Sequence, residues 1–557
     1  MGRLRTLTTH DVEKLLFEGR QIVIMDRDVL QLDGWLNEHP GGRLAILHMV
    51  GRDATNEINI YHLSSTIRSM QRYRIGRLIN PWKNRTPPIR GGAFADPDEI
   101  DLTESNSDSD LSDATTICAH STSSDDVQHH DNARLRNVTK QGVVGDLPGA
   151  TLTKRSPPSI PQRDAATEAL IQKTIQGEVD DNIRDYPSLD SRTQREIEDR
   201  YHALHDRVKN EGYYECHYRE YAKELARYLT IFTLFMTTLL HGWYWTSAAL
   251  LGLFWHQIMF TAHDAGHRGI TQNFVYDTLI GIFIADFCCG LSIGWWKSSH
   301  NVHHLITNHT EHDPDIQNVP LFATCPSFFK SIHSSYYDFT FVWDKAADFA
   351  VRYQKYTYYP VMGVARFNLY ILSLHHLFLG PKPSRSTRWI RKTELASMAC
   401  YWFLFGYCLV WRTLPDWPTR IAFVLISHIV TLPLHVQITL SHWGMPTADL
   451  GEGESFPQRQ LRTTMDVDCP EWLDFIHGGL QFQAVHHLFP RVPRHNLRRL
   501  QSLVREFCEE TGIKYTILSF KNGNEKVLGR LQEVTAQMEL MLQCQRYMAE
   551  TGESGLH

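Results

Sequence analysis

HDAGH occupies residues 263–267, HNVHH residues 300–304 and QAVHH residues 483–487, and hydrophobic segments of membrane length flank these stretches. His263 and His267 stand four residues apart, which puts them on one face of a helix, and the other two clusters repeat that spacing. A single such pair is most often a hydrogen-bonded core histidine, but three clusters predict a metal site. Seven histidines exceed what one tetrahedral zinc ion can use and match two metal ions, although imidazole by itself does not name the metal.

The composition excludes some functions. The 557 residues carry a net charge of −6, from 56 basic and 62 acidic side chains, so no strongly basic surface argues for a nucleic-acid partner. The 10 cysteines have no C-x-x-C spacing, which argues against a zinc ribbon or a disulfide framework and fits a reducing, cytosol-facing setting. Residues 1–16 lack the apolar core of a cleaved signal peptide, so we expect internal spans to insert the chain.

The chain divides by composition into five parts. Residues 1–82 combine short strand-like and helical pieces and predict a small α+β domain. Residues 83–165, rich in Ser, Asp and Pro, predict a disordered linker, because such a segment buries too little apolar surface to offset its ordering entropy. Residues 166–225 predict a charged helical segment that ends along the membrane surface. Residues 226–515 predict an all-α membrane domain with a cytosolic helical cap, and residues 516–557 a helical tail.

Four stretches of the membrane domain predict transmembrane helices, arranged as two hairpins. They run approximately over residues 226–241, 243–262, 396–414 and 420–441. Each hairpin returns the chain to its starting side, so all three histidine clusters and the N-terminal domain are expected on one face of the bilayer. The apolar stretches 275–295 and 356–379 are interpreted as interfacial or re-entrant, since another crossing would separate the first two clusters. Basic side chains at the flanks assign that face to the cytosol.

Two histidines of the N-terminal domain form a second candidate site. His39 lies in EHPGG and His62 in IYHLSS, and two histidines on opposing loops can fill both axial positions of a haem iron. That arrangement leaves no open position for oxygen and suits electron transfer, and without a C-x-x-C-H motif the haem would be held non-covalently. The alternative interpretation of HPGG is an ordinary turn, since Pro fixes φ and Gly permits tight geometry.

Residues 32–62, from LDGWLNEHPGG to IYH, together with RYRIGRL at 72–78, resemble the cytochrome b5 family. The resemblance implies b-type haem with His39 and His62 as ligands and His48 outside the ligand set. The linker would raise the effective concentration of this domain near the metal site without fixing its pose. Acidic side chains near the two loops either steer a basic redox partner or form a solvated rim. These are Asp33, Glu38, Asp53 and Glu57.

Residues 220–515 resemble the membrane fatty-acyl desaturase family, and more closely its front-end branch with a fused cytochrome b5 domain. The resemblance rests on HDAGH, on GWWKSSHNVHH followed by HDPDIQ, and on QFQAVHHLFP, in which Gln483 stands where many desaturases have His. It implies a di-iron centre that uses O2, with Gln483 as a ligand or near neighbour. The implied ligands are His263, His267, His300, His303, His304, His442, His486 and His487.

His442 is preferred over His435 as the additional ligand of this set. The seven-residue offset puts His435 on the same helical face but roughly 10 Å deeper. His256 stands in the same relation to His263 and is expected to make a polar contact. Other side chains can surround the ligands, since a metal-bound histidine usually donates its second N–H to a neighbour. These are Asp264, Asp313, Asp315, His309 and His312.

The resemblance implies an oxidoreductase of the endoplasmic reticulum membrane. The fused haem domain, the Gln-type third cluster and HDPDIQ are most similar to sphingolipid Δ8 desaturases, which act on the long-chain base of ceramide. We expect haem b, two iron ions, O2 as co-substrate and electrons from an NADH-cytochrome b5 reductase. Two related alternatives are a front-end Δ5/Δ6-type acyl-lipid desaturase and a cytochrome b5-fusion lipid 2-hydroxylase. A membrane-anchored haem electron carrier with an inactive desaturase domain is a third, against which the intact clusters argue.

Overall fold

A computed structural model describes residues 5–98 and 165–552. We call residues 5–98 the N-terminal domain and residues 165–552 the C-terminal module. Residues 1–96 and 163–557 form one compact unit, so the two parts are in contact with each other. Most of the predicted linker, residues 99–164, lies outside the described residues.

The N-terminal domain is an α+β unit, as predicted. Its elements in chain order are β1 (Thr6–Leu7), α1 (Thr9–Phe17), β2 (Ile22–Met25), β3 (Asp28–Gln31), α2 (Arg43–Leu47), α3 (Thr55–Tyr61), α4 (Ser64–Met70) and β4 (Arg74–Leu78). The strands form one sheet in the order β1-β4-β3-β2, in which β1 runs parallel to β4 and the other pairs are antiparallel. All four residues of β2 are buried, so this apolar strand is packed on both of its sides.

The N-terminal domain continues beyond the predicted boundary at residue 82. Trp82 donates its indole N–H to the Gly51 carbonyl at 2.9 Å, and Arg90 donates to the His48 carbonyl at 3.1 Å. The Phe94 ring packs beside Gly51 and joins the apolar core of the domain. The predicted linker therefore began too early at residue 83, because the aromatic side chains of this segment find apolar partners on the domain.

The C-terminal module is mostly helical, as predicted. Its helices are α5 (Ala165–Asp185), α6 (Ser191–Asn210), α7 (Tyr218–Leu240), α8 (Tyr244–Gly266), α9 (Phe274–Gly281), α10 (Ile293–Leu305), α11 (Lys345–Arg352), α12 (Gln354–Leu379), α13 (Arg388–Tyr401), α14 (Trp417–Ile429), α15 (Leu432–Leu440), α16 (Phe456–Thr463), α17 (Asp474–His477), α18 (Gln483–Leu488), α19 (Leu497–Thr511) and α20 (Phe520–Thr551). The π-helical segments Ile282–Cys288 and Trp402–Thr413 continue α9 and α13. Strands β5 (Ile332–Ser334) and β6 (Phe339–Phe341) pair antiparallel, whereas β7 (Asp466–Asp468) and β8 (Ile517–Ser519) pair parallel.

The predicted hairpins are present as helices. In the first, α7 and α8 are joined at His241 and Gly242, where the sequence predicts the turn. In the second, α13 with its π-helical continuation is followed by α14 and α15.

By length and hydropathy, two described stretches can cross a membrane, Arg388–Thr413 and Trp417–Leu440. A third is added if the pair Phe274–Cys288 and Ile293–Leu305, bent by 116°, counts as one span. The first hairpin is not among them, because polar residues such as His256 and Gln257 lower the hydropathy of α8. Four spans therefore stay a prediction.

The charged segment before the membrane helices packs into the module. In α6 the buried side chains Ile197, Tyr201, Leu204 and Val208 recur at helical spacing and belong to a core shared with α19. The Tyr201 hydroxyl donates to the Leu488 carbonyl at 2.7 Å, directly after the third histidine cluster. Helix α6 thus covers that cluster from one side.

The C-terminal helix α20 is a packing helix, as the spacing of its apolar residues predicts. It is 32 residues long and buries one stripe against α12 and the strands β7 and β8. The buried residues of the stripe are Val527, Leu531, Val534, Met538 and Met541.

Gly266 of HDAGH lies where α8 meets α10. A Cβ at this position would stand 2.1 Å from Cζ3 of the Trp296 ring, so Gly266→Ala forces the two helices apart. We expect this overpacking to cost about 1–3 kcal/mol and to lower the unfolding midpoint of the purified protein in detergent. Gly177→Ala in α5 is the matched control, since its Cβ would meet nothing within 4 Å. A Gly266→Ala protein as stable as wild type would contradict the close helix contact.

Candidate metal centre

Eight histidines meet at one place in the C-terminal module. They comprise the seven of the three sequence clusters and His442. Because positions four residues apart share a helical face, each helix presents its histidines together. The contributing elements are the end of α8, with His263 and His267; α10, with His300, His303 and His304; α18, with His486 and His487; and the turn after α15, with His442.

The first group consists of His263, His267, His300 and His486, whose nearest ring nitrogens all lie within 4.8 Å of one another. The imidazole centroids of His263 and His486 are 4.6 Å apart, and those of His267 and His300 are 5.0 Å apart. This group draws on all three sequence clusters. Four converging imidazoles can hold one metal ion.

The second group consists of His303, His442 and His487, again with ring nitrogens within 4.8 Å of one another. The centroid of His303 is 4.6 Å from that of His442 and 5.0 Å from that of His487. His435 is in neither group, and its Nε2 lies 3.2 Å from the Thr431 hydroxyl instead. The structure thus brings His442, the preferred of the two candidates, to the other histidines.

His304 lies between the two groups. Its Nε2 is 3.0 Å from Nε2 of His300, and its ring stacks on that of His487 at 4.1 Å. An imidazole in this position can complete the ligand set of either ion. The arrangement as a whole therefore fits two adjacent metal ions.

Ring nitrogens without a partner support this fit. A buried nitrogen that lacks a hydrogen-bond partner is costly unless an ion satisfies it. Such atoms are found at Nε2 of His263, His267, His486 and His487 and at Nδ1 of His304 and His442. Burial also holds the pKa of His304, His486 and His487 well below the ordinary value, so these rings are neutral, the form that ligates a metal.

Asp313 orients His303. The His303 Nδ1–H donates to the Asp313 carboxylate at 2.8 Å, and the same oxygen accepts the backbone N–H of Asn308 at 2.7 Å. Burial lowers the pKa of His303, but Asp313 and Asp315 outweigh it and raise the pKa to about 9. Asp313 therefore turns Nε2 of His303 toward the other ligands, as predicted for a carboxylate beside a metal-bound histidine.

The other residues expected around the ligands make no hydrogen bond as short as that between Asp313 and His303 to a histidine of the two groups. Asp264 accepts hydrogen bonds from Arg494 at 2.6 Å and from the Tyr221 hydroxyl at 2.5 Å, and it lies 3.8 Å from Nδ1 of His263. His309 and His312 stack on each other at 4.3 Å outside the two histidine groups.

Gln460 is a contributor that no sequence motif marks. Its Oε1 accepts the Nδ1–H of His487 at 2.9 Å, and its Nε2 donates to the His304 carbonyl at 2.8 Å. Gln460 therefore fixes the third cluster relative to the second. Gln483 begins α18 and is buried, three and four residues ahead of His486 and His487, so helical spacing puts it on their side.

The N-terminal domain brings His39 and His62 face to face. Their ring centroids are 6.0 Å apart, with the planes tilted by 45°. The Nδ1 of His39 lies 3.0 Å from the Gly42 carbonyl and that of His62 lies 3.1 Å from the Ile58 carbonyl, which leaves the Nε2 atoms as ligand atoms. Burial lowers the pKa of His39 and lowers that of His62 to about 3, so both rings are neutral. Two neutral imidazoles in this arrangement fit the axial positions of haem iron.

Removal of His442 should affect the second histidine group and leave the first group intact. We expect His442→Ala to lose roughly half of the bound metal, because only two histidines remain in the second group. His435→Ala is the matched control and should retain its metal, since His435 belongs to neither group and its Nε2 contacts the Thr431 hydroxyl. Metal per chain is measured on purified protein. Equal metal content in the two variants would contradict the placement of His442.

The chain matches the family model described as Fatty acid desaturase over residues 240–519, and the model described as Cytochrome b5-like Heme/Steroid binding domain over residues 8–79. The Delta 8-(E)-sphingolipid desaturase of Emericella nidulans is 45% identical over 99% of this chain and 98% of its own length. The protein of the same description from Kluyveromyces lactis is 43% identical over 98% of this chain and 95% of its own. A Delta(8)-fatty-acid desaturase of Helianthus annuus is 40% identical over 52% of this chain and 62% of its own.

The two families imply haem in the N-terminal domain and iron in the C-terminal module, in an integral membrane protein that acts on lipid. The paired histidine groups and the facing histidines of the N-terminal domain agree with both assignments. The chain belongs to the fatty acid desaturase family, as a member with a cytochrome b5-like domain ahead of its desaturase domain.

Proposed function

We propose that this protein is a sphingolipid Δ8 desaturase, which uses O2 to introduce a double bond into the long-chain base of ceramide. The observation that carries the proposal is the convergence of eight histidines at one point, next to a domain with two facing histidines. Similarity over nearly the whole chain to proteins described as Delta 8-(E)-sphingolipid desaturase supports the substrate class.

Desaturation takes one hydrogen atom from each of two neighbouring methylene groups. O2 is reduced to two waters, using these two hydrogen atoms together with two electrons and two protons from elsewhere. A methylene group offers no acidic proton, leaving group or carbonyl that a side chain can attack, so bound iron supplies the oxidising power by activating O2. The protein holds the ions and positions the lipid, so that the carbon nearest the ions is the one oxidised.

We assign metal binding to the two histidine groups and to His304 between them. Gln483 is proposed as a further ligand or a near neighbour of the ions. Trp296 forms a wall of the site, with its indole 4.3 Å from the His300 ring and 5.3 Å from the His263 ring, and it helps to exclude water. The proposed ligands are His263, His267, His300, His303, His304, His442, His486 and His487.

We propose that His39 and His62 hold haem b without covalent attachment and that an NADH-cytochrome b5 reductase delivers electrons to it. The protein is assigned to the endoplasmic reticulum membrane with four spans, and with both cofactor sites on the cytosolic face. Basic residues at the span ends support this orientation. They include Lys223, Arg227, Arg268, Lys382, Arg385, Arg388, Arg391 and Lys392.

A second candidate function is front-end desaturation of an acyl lipid. It is favoured by the similarity of 52% of the chain to the Helianthus annuus protein, which is described as a fatty-acid desaturase. Both reactions need the same ions, histidines and electrons. The difference lies in the lipid that reaches the site.

Expression in a host without sphingolipid Δ8 unsaturation tests the assignment. Long-chain bases and fatty acids are released separately, and the double bonds are located by mass spectrometry. We expect new unsaturation in the long-chain base alone, and none from a His486→Ala control. Unsaturation confined to fatty acids would establish the second candidate, and a new hydroxyl group would point to a hydroxylase.

The haem ligands have their own test. His39→Ala should abolish the haem absorbance of the full-length protein, because one of the two imidazoles that would hold the haem is lost. His48→Gln is the matched control and should keep the haem, since the His48 ring lies 5.3 Å from that of His312 and not against His39 or His62. An unchanged spectrum in His39→Ala would refute the ligand role.

A further inference from the structure

The loop that carries His39 contacts the helix of the second histidine cluster. The Gly41 carbonyl accepts a hydrogen bond from Nδ2 of Asn301 at 3.3 Å. Asn301 lies on α10, between His300 and His303. A Cβ on Gly41 would stand 2.8 Å from Cε1 of His39. The glycine therefore lets the loop backbone approach both the His39 ring and Asn301.

The loop that carries His62 contacts the segment after the third histidine cluster. The Ile60 carbonyl accepts a hydrogen bond from Nε of Arg491 at 2.6 Å. The Arg491 guanidinium is buried and lies over the Tyr214 ring at 5.0 Å, so its position is fixed by the module. Ile60 is fully buried and belongs to the same apolar core as Phe489.

Tyr61 lies at the contact between the N-terminal domain and the second histidine cluster. Its ring meets the His304 imidazole edge-on, with the centroids 6.2 Å apart and the planes at 85°. It is followed directly by His62 at the end of α3. The Tyr61 hydroxyl is buried and has no hydrogen-bond partner among the described residues, so the ring is held there by packing.

Contacts farther from the two sites hold the domain in the same pose. Leu305 and Ile306, at the end of α10, belong to one apolar core with Val23 and Met25 of β2. Arg52 and Arg90 of the N-terminal domain both pair with Glu452 of the module, Arg90 at 3.5 Å. The domain is thus docked through a specific surface, where the sequence predicts a tether that leaves the pose free.

We propose that this docked surface is the electron-transfer contact of the protein, with Tyr61 as the positioning residue that packs the His62 side of the N-terminal domain onto His304. The inference rests on the proposed function and deepens it. Arg491 and Asn301 hold the segments that carry His62 and His39, through their hydrogen bonds to the Ile60 and Gly41 carbonyls. Electrons would enter the metal centre at His304, whose Nε2 lies 3.0 Å from that of His300 and whose ring stacks on that of His487.

The electron balance is simple. In each transfer a bound haem iron would go from ferrous to ferric, and one iron ion held by the histidine groups would go from ferric to ferrous. Two transfers, each followed by re-reduction of the haem by a pyridine-nucleotide-dependent reductase, supply the two electrons that desaturation needs. Tyr61 is neither oxidised nor reduced, and its ring only fills the gap between the two sites, because electronic coupling decays less across packed atoms than across an open gap.

Reoxidation of pre-reduced haem measures the contact directly. The full-length, iron-loaded protein in detergent is mixed with O2 and ceramide in the absence of reductase, and haem absorbance is followed. We expect Tyr61→Leu to slow reoxidation at least tenfold, with haem content, midpoint potential and iron content unchanged. Tyr61→Phe keeps the ring and should reoxidise at the wild-type rate.

Two controls make the result specific. Phe17→Leu removes an exposed ring of α1, outside the apolar core that contains Leu305 and Ile306, and it should behave as wild type. Iron-depleted wild type gives the background of direct oxidation by O2. A Tyr61→Leu protein at the wild-type rate, or one that has lost haem or iron, would overturn the positioning role. Failure of the proposed function would show separately, as wild-type protein that makes no unsaturated long-chain base.

The docking contact of Arg491 can be tested by a measurement that does not depend on haem or iron. Arg491→Ala should speed amide hydrogen exchange at residues 41–42 and 60–62 at least tenfold and leave β2 and β3 unchanged. Arg499→Ala is the matched control, because its guanidinium lies over the Tyr213 ring at 4.5 Å and pairs with Glu211, both in the C-terminal module. Equal exchange in the two variants would show that Arg491 does not hold the docked surface.

Discussion

Eight imidazoles meet at one point, and six of them have a ring nitrogen that no group among the described residues satisfies; this cluster is the interaction on which the structure depends. Such a cluster is unfavourable unless metal ions occupy it, so the elements around it hold the rings in place. Asp313 orients His303, Gln460 orients His487, and Gly266 lets α8 approach Trp296. The helices of the C-terminal module serve the same purpose, since they bring histidines far apart in the chain to one point.

The proposed function adds a second constraint, because electrons must reach the histidine groups. A domain tethered only by a flexible linker would reach the histidine groups by diffusion. The N-terminal domain instead shares an apolar core and an ion pair with the C-terminal module. The residues next to His39 and His62 contact the helix of the second cluster and the segment after the third. The loops that carry the two proposed haem ligands therefore also make the docking contacts, which ties the orientation of one proposed site to the position of the other.

Local patterns predicted a large part of the fold. The spacing of Val527, Leu531 and Val534 predicted a packing helix, and the apolar stretch ending at His241 predicted the first hairpin. The boundary at residue 82 was wrong, because burial of Trp82 and Phe94 depends on partners elsewhere in the domain. The packing of α6 over the third cluster could not be predicted from the sequence either. The pattern of a charged helix does not indicate which other element buries its apolar side chains.

The sequence by itself determined which histidines share a helical face, because that follows from the 3.6-residue repeat, and it separated His442 from His435 by their depth along one helix. Only the tertiary structure decided how they divide. His303 groups with His442 and His487, while its neighbour His300 groups with His263, His267 and His486. The division depends on how α8, α10, α18 and the turn after α15 cross, and a contact between residues far apart in the chain leaves no periodic signal. The same reason kept Gln460 and the docking of Tyr61 on His304 out of reach.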